Sequence, residues 1–206
     1  MQGDLLGDLE QDIDGISQFL TRKQENFDRV MQLSREIIRF AGLAITHMHN
    51  GERTRAESGL AEMRVRVEAL GKIDADQKYH SMQAYQEYAE AFIFYNIKVG
   101  RRIPPMAEVG VDMEGYIMGL MDVEGELKRE VMESLRAGDL ARAEGDFEIM
   151  RRIYDGTRSI RFAEAVLGGF RKKQDVARIQ LENAGGEILY YKGRAGAVSA
   201  PSSSPP

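Results

Sequence analysis

Proline placement constrains this chain more than any other feature. There are five prolines in 206 residues, and four of them stand in two pairs, Pro104–Pro105 and Pro205–Pro206. Proline breaks a helix by removing an N–H and colliding with the preceding turn, so their scarcity leaves long runs free to be helical. Those runs have helical spacing. From Leu5 to about His49, residues Leu9, Ile13, Ile16, Leu20, Phe27, Val30, Leu33, Ile37, Ile38, Ala41 and Ile45 recur mostly at three and four. The turn HNGE at 49–52 supplies a glycine stop, and a second helix is expected from about Glu52 to Leu70, ended by Gly71. A third covers roughly Ala75 to Val99 and stops at GRRIPP. A fourth runs from Asp112, its N-cap, to Arg136, where AGD breaks it and Asp139 caps a fifth. The fifth ends near YDG at 154–156, and the last is expected from about Ser159 to Tyr191, interrupted at Gly168–Gly169. No stretch alternates as a strand does. The expected fold is all-α: one domain over residues 1–194, built of six or seven helices in an antiparallel bundle. The tail AGAVSAPSSSPP at 195–206 is small, polar and proline-rich, and is expected to be disordered.

Composition narrows the function classes. With 43% hydrophobic residues the chain can bury a core. It has no cysteine, which excludes disulfides, zinc–thiolate sites and thiol nucleophiles and agrees with a reducing, cytoplasmic setting. No run approaches the roughly twenty apolar residues of a membrane span, and the acidic start MQGDLLGDLEQDIDG lacks a signal-peptide pattern. Net charge is −5, from 28 basic and 33 acidic residues. That argues against a protein coating nucleic acid with its whole surface, but not against a local basic groove.

Two segments place acids on helical faces. In QEYAEA, Glu87 and Glu90 lie at i,i+3, on a face shared with His80, Ala84, Ala91, Phe94 and Lys98. In DVEGEL, Asp122 and Glu126 lie at i,i+4, flanked by Gly115, Met118, Gly119, Gly125 and Arg129. Each glycine costs a helix interior about 1 kcal/mol relative to alanine, so three on one stripe imply close approach by a backbone or ligand. Four carboxylates on two facing helices repel unless neutralised. A hard divalent cation, Mg2+ or Mn2+, does this with oxygen ligands and retained water, and such a water is a nucleophile suited to a phosphodiester. Arg129, one turn past Glu126, is placed to brace that acid or meet a phosphate. On spacing alone, solvated acids or acids bound to neighbouring lysines and arginines are the commoner arrangement. A ferritin-like di-iron site would need Glu-x-x-His pairs, and none of His47, His49 or His80 follows a glutamate by three.

These segments carry a family resemblance. LSREIIRFAGLAITHMH (33–49), YQEYAEAFIFY (85–95), YIMGLMDVEGELKR (116–129), YDG (154–156) and RKKQD (171–175) match, in order and spacing, the signatures of the translin family. The likeness is greater to its translin-associated factor X branch than to translin itself. It implies a seven-helix protomer that assembles into a hollow homo-octamer enclosing single-stranded nucleic acid. In the eukaryotic complex the factor X subunits are metal-dependent endoribonucleases, and their catalytic acids fall here on Glu87, Glu90, Asp122 and Glu126 without substitution. The chain lacks the long basic N-terminal extension and the inserted loop of animal factor X proteins, which suggests a compact prokaryotic, archaeal type.

For nucleic acid, Arg35, Arg39 and Arg129 are the inner-surface candidates, because they lie in the signature segments. Further cations are Arg101–Arg102, Arg151–Arg152, Arg158, Arg161 and the run Arg171–Lys173, and salt bridging is the expected role for the first two pairs. Tyr85 and Tyr88 are candidates for base stacking, although aromatics at helical spacing more often belong to the core. His47 and His49 are expected to cap or pack. The leading reading is an Mg2+- or Mn2+-dependent endoribonuclease acting on single-stranded RNA, extending to single-stranded DNA. The alternatives are a non-catalytic binder of single-stranded RNA or DNA and a structural helical oligomer whose acids sit in salt bridges.

Overall fold

The computed structural model describes residues 5–199. Among them are seven helices and no strand: α1 (Leu5–His49), α2 (Arg53–Leu70), α3 (Lys78–Gly100), α4 (Met106–Val109), α5 (Met113–Arg136), α6 (Leu140–Thr157) and α7 (Phe170–Ser199). The all-α expectation holds. The helices fall into two compact units, and the division lies within α3, between Tyr88 and Ala89.

In the first unit, Gly51 at φ 74° turns the chain between α1 and α2. Val30, Leu33, Ile37, Ala41, Ala44 and Met48 of α1 are buried, as are Ala56, Leu60, Met63, Val67 and Leu70 of α2. These are i,i+3/i+4 stripes on two contacting helices. The first half of the α1 stripe has no such cover. Leu9, Ile13, Ile16 and Leu20 are each more than half exposed. Length explains it, since α1 has 45 residues and α2 has 18, or about 68 Å against about 27 Å at 1.5 Å per residue.

The start of α3 lies at Lys78, three residues past the expected Ala75. Residues before it are organised by Asp74, which is buried and accepts hydrogen bonds from Ser81 Oγ (2.5 Å) and Tyr85 Oη (2.8 Å). Lys78 completes the charge balance at 3.3 Å from Asp74 Oδ2.

In the second unit, α5 packs against both α6 and α7. Its ends follow local rules. Asp112 accepts from Gly115 N at 2.8 Å and Asp139 accepts from Arg142 N at 3.0 Å, so both expected N-caps are in place. Two elements differ from expectation. The Pro104–Pro105 pair starts a single helical turn, α4, closed by Gly110 at φ 79°. And α7 begins at Phe170, not near Ser159, because Gly169 adopts φ 77° and breaks the helical path. The lead-in is held by Gln174, whose Nε2 donates to the carbonyls of Thr157 (2.8 Å) and Ile160 (3.3 Å). At the far end α7 continues to Ser199, into the stretch expected to be disordered, and residues 200–206 lie outside the described residues.

Candidate functional site

Helix α5 presents acids on two sides. Leu120, Glu124, Leu127 and Val131, spaced at four, three and four, are all buried. Asp122 and Glu126 stand away from that stripe, half-buried, with Arg129 exposed beyond them. On α3, Glu87 is half-buried and Glu90 is 8% exposed. Each of these four acids has an interaction partner within the chain.

For Asp122 one partner is Lys173, on the first turn of α7, whose ammonium contacts Asp122 Oδ1. This pair sits in a cleft of about 390 Å³, walled by Asp122 and Gly125 of α5 and by Gly169, Lys172, Lys173 and Gln180 around α7. A Cβ on Gly125 would stand 3.4 Å from Gln180 Nε2, so the glycine lets α7 side chains approach α5 closely. The carboxylate donors suit a hard divalent cation by their chemistry. Among the described residues, however, no group of three or more acidic or histidine side chains is gathered as a metal site.

Buried acids of α5 and α6 are neutralised otherwise. Glu130 is 5% exposed and receives Lys98 Nζ at 2.7 Å and Arg142 Nη2 at 2.8 Å. Asp146 of α6 is buried and paired with Arg101, and burial raises its carboxyl against the opposing pull of that guanidinium. Arg101 itself has φ 55°. Glu124 has no partner for either oxygen and is fully buried. Desolvation pushes its carboxyl up to about 9, so it is neutral at pH 7.

Ion pairing sorts the cations. Arg151 and Arg152 both bind Glu148, at 2.8 Å and 3.0 Å, and Arg102 binds Glu108 at 2.5 Å. These are structural pairs, as the sequence suggests for both of the doublets, including Arg101. Arg158 is 3.6 Å from Asp155. By contrast Arg35, Arg129, Arg161 and Arg171 are exposed and form no ion pair with a described residue, and Arg39 lies 5.0 Å from the Phe40 ring. Arg129 therefore does not brace Glu126. Tyr85 and Tyr88 are not stacking platforms. They are 3% and 0% exposed, and burial pushes the Tyr88 phenol up to about 12. His47 Nδ1 is 2.6 Å from Glu52 Oε2, tying the end of α1 to the turn before α2.

Comparison with known proteins places this architecture. The model of the Translin family matches residues 70–186, which contain Glu87, Glu90, Asp122, Glu126 and Arg129. The chain belongs to the Translin family. It is 30% identical over 177 residues to the uncharacterised protein MJ0175 of Methanocaldococcus jannaschii, covering 84% of this chain and 79% of that one. It is a compact chain of the archaeal type. Among solved structures, AfC3PO in complex with duplex RNA superposes with a TM-score of 0.82 at 24% identity, over 89% of this chain and 97% of that one. The crystal structure of AfC3PO gives 0.75 at 25% identity, over 91% and 98%. Apo-NeC3PO gives 0.69 at 22%, over 93% and 99%. These likenesses fix the translin-type all-helical fold.

One feature of this Translin-family site escapes a reading of the sequence, and another is legible in it. Linear order groups Lys173 with its basic neighbours, and nothing in it pairs that lysine with Asp122. Glu124 leaves a readable signal, since it occupies an apolar stripe at four from Leu120 and three from Leu127.

Proposed function

We propose that this protein is a divalent-cation-dependent endoribonuclease that cleaves single-stranded RNA within a hollow homo-oligomer, an octamer in the family pattern, in the cytoplasm. The observation that carries the reading is Asp122: a family catalytic position kept as an acid and set in the wall of a 390 Å³ cleft whose opposite side is basic. Glu87, Glu90, Asp122 and Glu126 are the residues that would hold Mg2+ or Mn2+. When bound, the cation would supply a more acidic water and charge compensation at the phosphodiester. The chain's own contributions are separate. Lys173 holds Asp122 in position, and Gly125 keeps side-chain bulk out of the cleft. Arg35, Arg39 and Arg129, unspent on carboxylates, supply cations for a phosphate backbone. The exposed Leu9, Ile13, Ile16 and Leu20 offer an apolar stripe that another copy of α1 would cover.

A second reading is a non-catalytic nucleic-acid-binding oligomer, for single-stranded RNA or DNA. The AfC3PO complex holds duplex RNA, so duplex belongs among the probes. The deciding assay incubates labelled single-stranded RNA, duplex RNA and single-stranded DNA with the protein in Mg2+, in Mn2+ and in EDTA. The expected result is metal-dependent cutting of single-stranded RNA, reduced more than about a hundredfold in Glu126→Gln. Binding without cutting, equal in the variant, would establish the second reading.

A further inference from the structure

We infer that a second, separate cleft, between the α6–α7 connection and the first turn of α7, binds one nucleotide unit of single-stranded RNA, with the phosphate on Arg161 and Arg171 and the base on Phe162. The inference rests on the nucleic-acid-binding part of the reading above, and needs none of the four acids. The cleft measures about 110 Å³. That is room for a phosphate group, and Phe162 is part of the same lining. Its apolar side is built from Ile160, Leu167 and Phe170, which belong to or pack on a buried cluster with Met118 and Met121. Arg161 and Arg171 stand at its rim.

Three observations point to an anion. First, neither guanidinium is spent: most arginines among the described residues are ion-paired, whereas these two, like Arg35 and Arg129, form no ion pair with a described residue. A planar fork with free N–H donors matches phosphate oxygens two at a time. Second, the acid of the connection itself is already used. Glu164 is the single acid between Ser159 and Arg171, and its Oε1 accepts from Gly169 N at 2.5 Å. Third, the site is preorganised, because the Gln174 amide bonds to Thr157 and Ile160 fix the connection against α7. An apolar floor beside the two cations lowers the local dielectric and strengthens their hold on an anion. Phe162 adjoins Arg161 and is 69% exposed, an aromatic face left in water beside the phosphate position. Bases stack on such faces without sequence preference.

The test measures binding of a labelled single-stranded RNA to the full chain in EDTA, so that cutting does not interfere. Arg161→Gln combined with Arg171→Gln is expected to weaken binding by about 10- to 100-fold. The slope of log K against log salt should fall by about 0.7, the value for one phosphate neutralised on a single strand. Phe162→Ala is expected to weaken binding about tenfold, the effect of one stack, with the salt slope unchanged. Arg151→Gln combined with Arg152→Gln is the control and should leave both quantities as they are. All these side chains are exposed, and matched circular dichroism confirms folding. Wild-type affinity and slope in the Arg161/Arg171 variant would overturn the inference while leaving RNA binding elsewhere intact. Failure of the wild-type chain to bind RNA would overturn both this inference and the binding function. If inorganic phosphate raises the Tm of wild type but not of the double variant, and RNA affinity is equal in the two, the site takes a small phosphorylated ligand and the RNA assignment is wrong.

Discussion

Glu124 makes stability depend on pH in a direction opposite to that of a salt-bridged acid. Its carboxyl is fully buried, has no hydrogen-bond partner, and is raised from 4.5 to about 9 by desolvation alone. Between those values the unfolded chain holds this group ionised and the folded chain holds it protonated, so folding takes up one proton. The folded state therefore binds more protons than the unfolded one, and stability falls as pH rises. Its contribution is fully present below 4.5 and is lost progressively up to about 9. The slope is about 1.4 kcal/mol per pH unit, so the loss between pH 5 and pH 8 is on the order of 4 kcal/mol. Glu124→Gln keeps the shape and removes the titration. Urea unfolding of both proteins at fixed protomer concentration, from pH 5 to pH 8, should give curves that diverge by that amount, the variant becoming the more stable as pH rises. Glu124→Leu should in addition remove the unpartnered polar atoms and stabilise the fold by about 1–3 kcal/mol even at pH 5. Parallel pH profiles for wild type and Glu124→Gln would refute the reasoning, because they would mean that the carboxyl is hydrated or partnered in solution.

Other expectations follow from the same acids and from the exposed stripe. Lys98→Met removes one of the two cations that bind the buried Glu130 and should cost about 3 kcal/mol in urea unfolding, the range for breaking one side of a buried pair. Lys173→Met removes an ammonium from the partly exposed Asp122. It should lower stability by about 1 kcal/mol without metal and enlarge the rise in Tm produced by Mg2+, read by thermal melts with and without the ion. Ile13→Glu combined with Leu20→Glu alters side chains that are 56% and 53% exposed. The helical content of the protomer should be unchanged and the mass by light scattering should fall. An unchanged mass would place the subunit contacts elsewhere.

What the sequence made legible was what depends on near neighbours. The caps at Asp112 and Asp139 each act on an N–H three residues away, so the ends of α5 and the start of α6 could be read directly. The start of α7 could not, because Ile160, Ala163 and Leu167 have helical spacing, yet Gly169 and the Gln174 amide decide the path. Periodicity also does not say what covers a stripe: α1 reads as one apolar face, but only the half facing α2 is buried. The acids show the same limit more sharply. Spacing gathers Asp122, Glu124, Glu126 and Glu130 into one short run of α5, and only the fold assigns each acid its means of neutralisation. Glu124 is neutralised by a proton, and the buried Glu130 by two cations, Lys98 and Arg142. Asp122 is paired with a lysine on a cleft wall, its side chain 25% exposed. A cation from solution exchanges most readily at the last of these, since an ammonium on a four-carbon stem moves aside at little cost. Neither a proton held by desolvation nor two cations on a buried carboxylate can be displaced so easily. That asymmetry within one helix distinguishes the acid open to function from the acids committed to the fold.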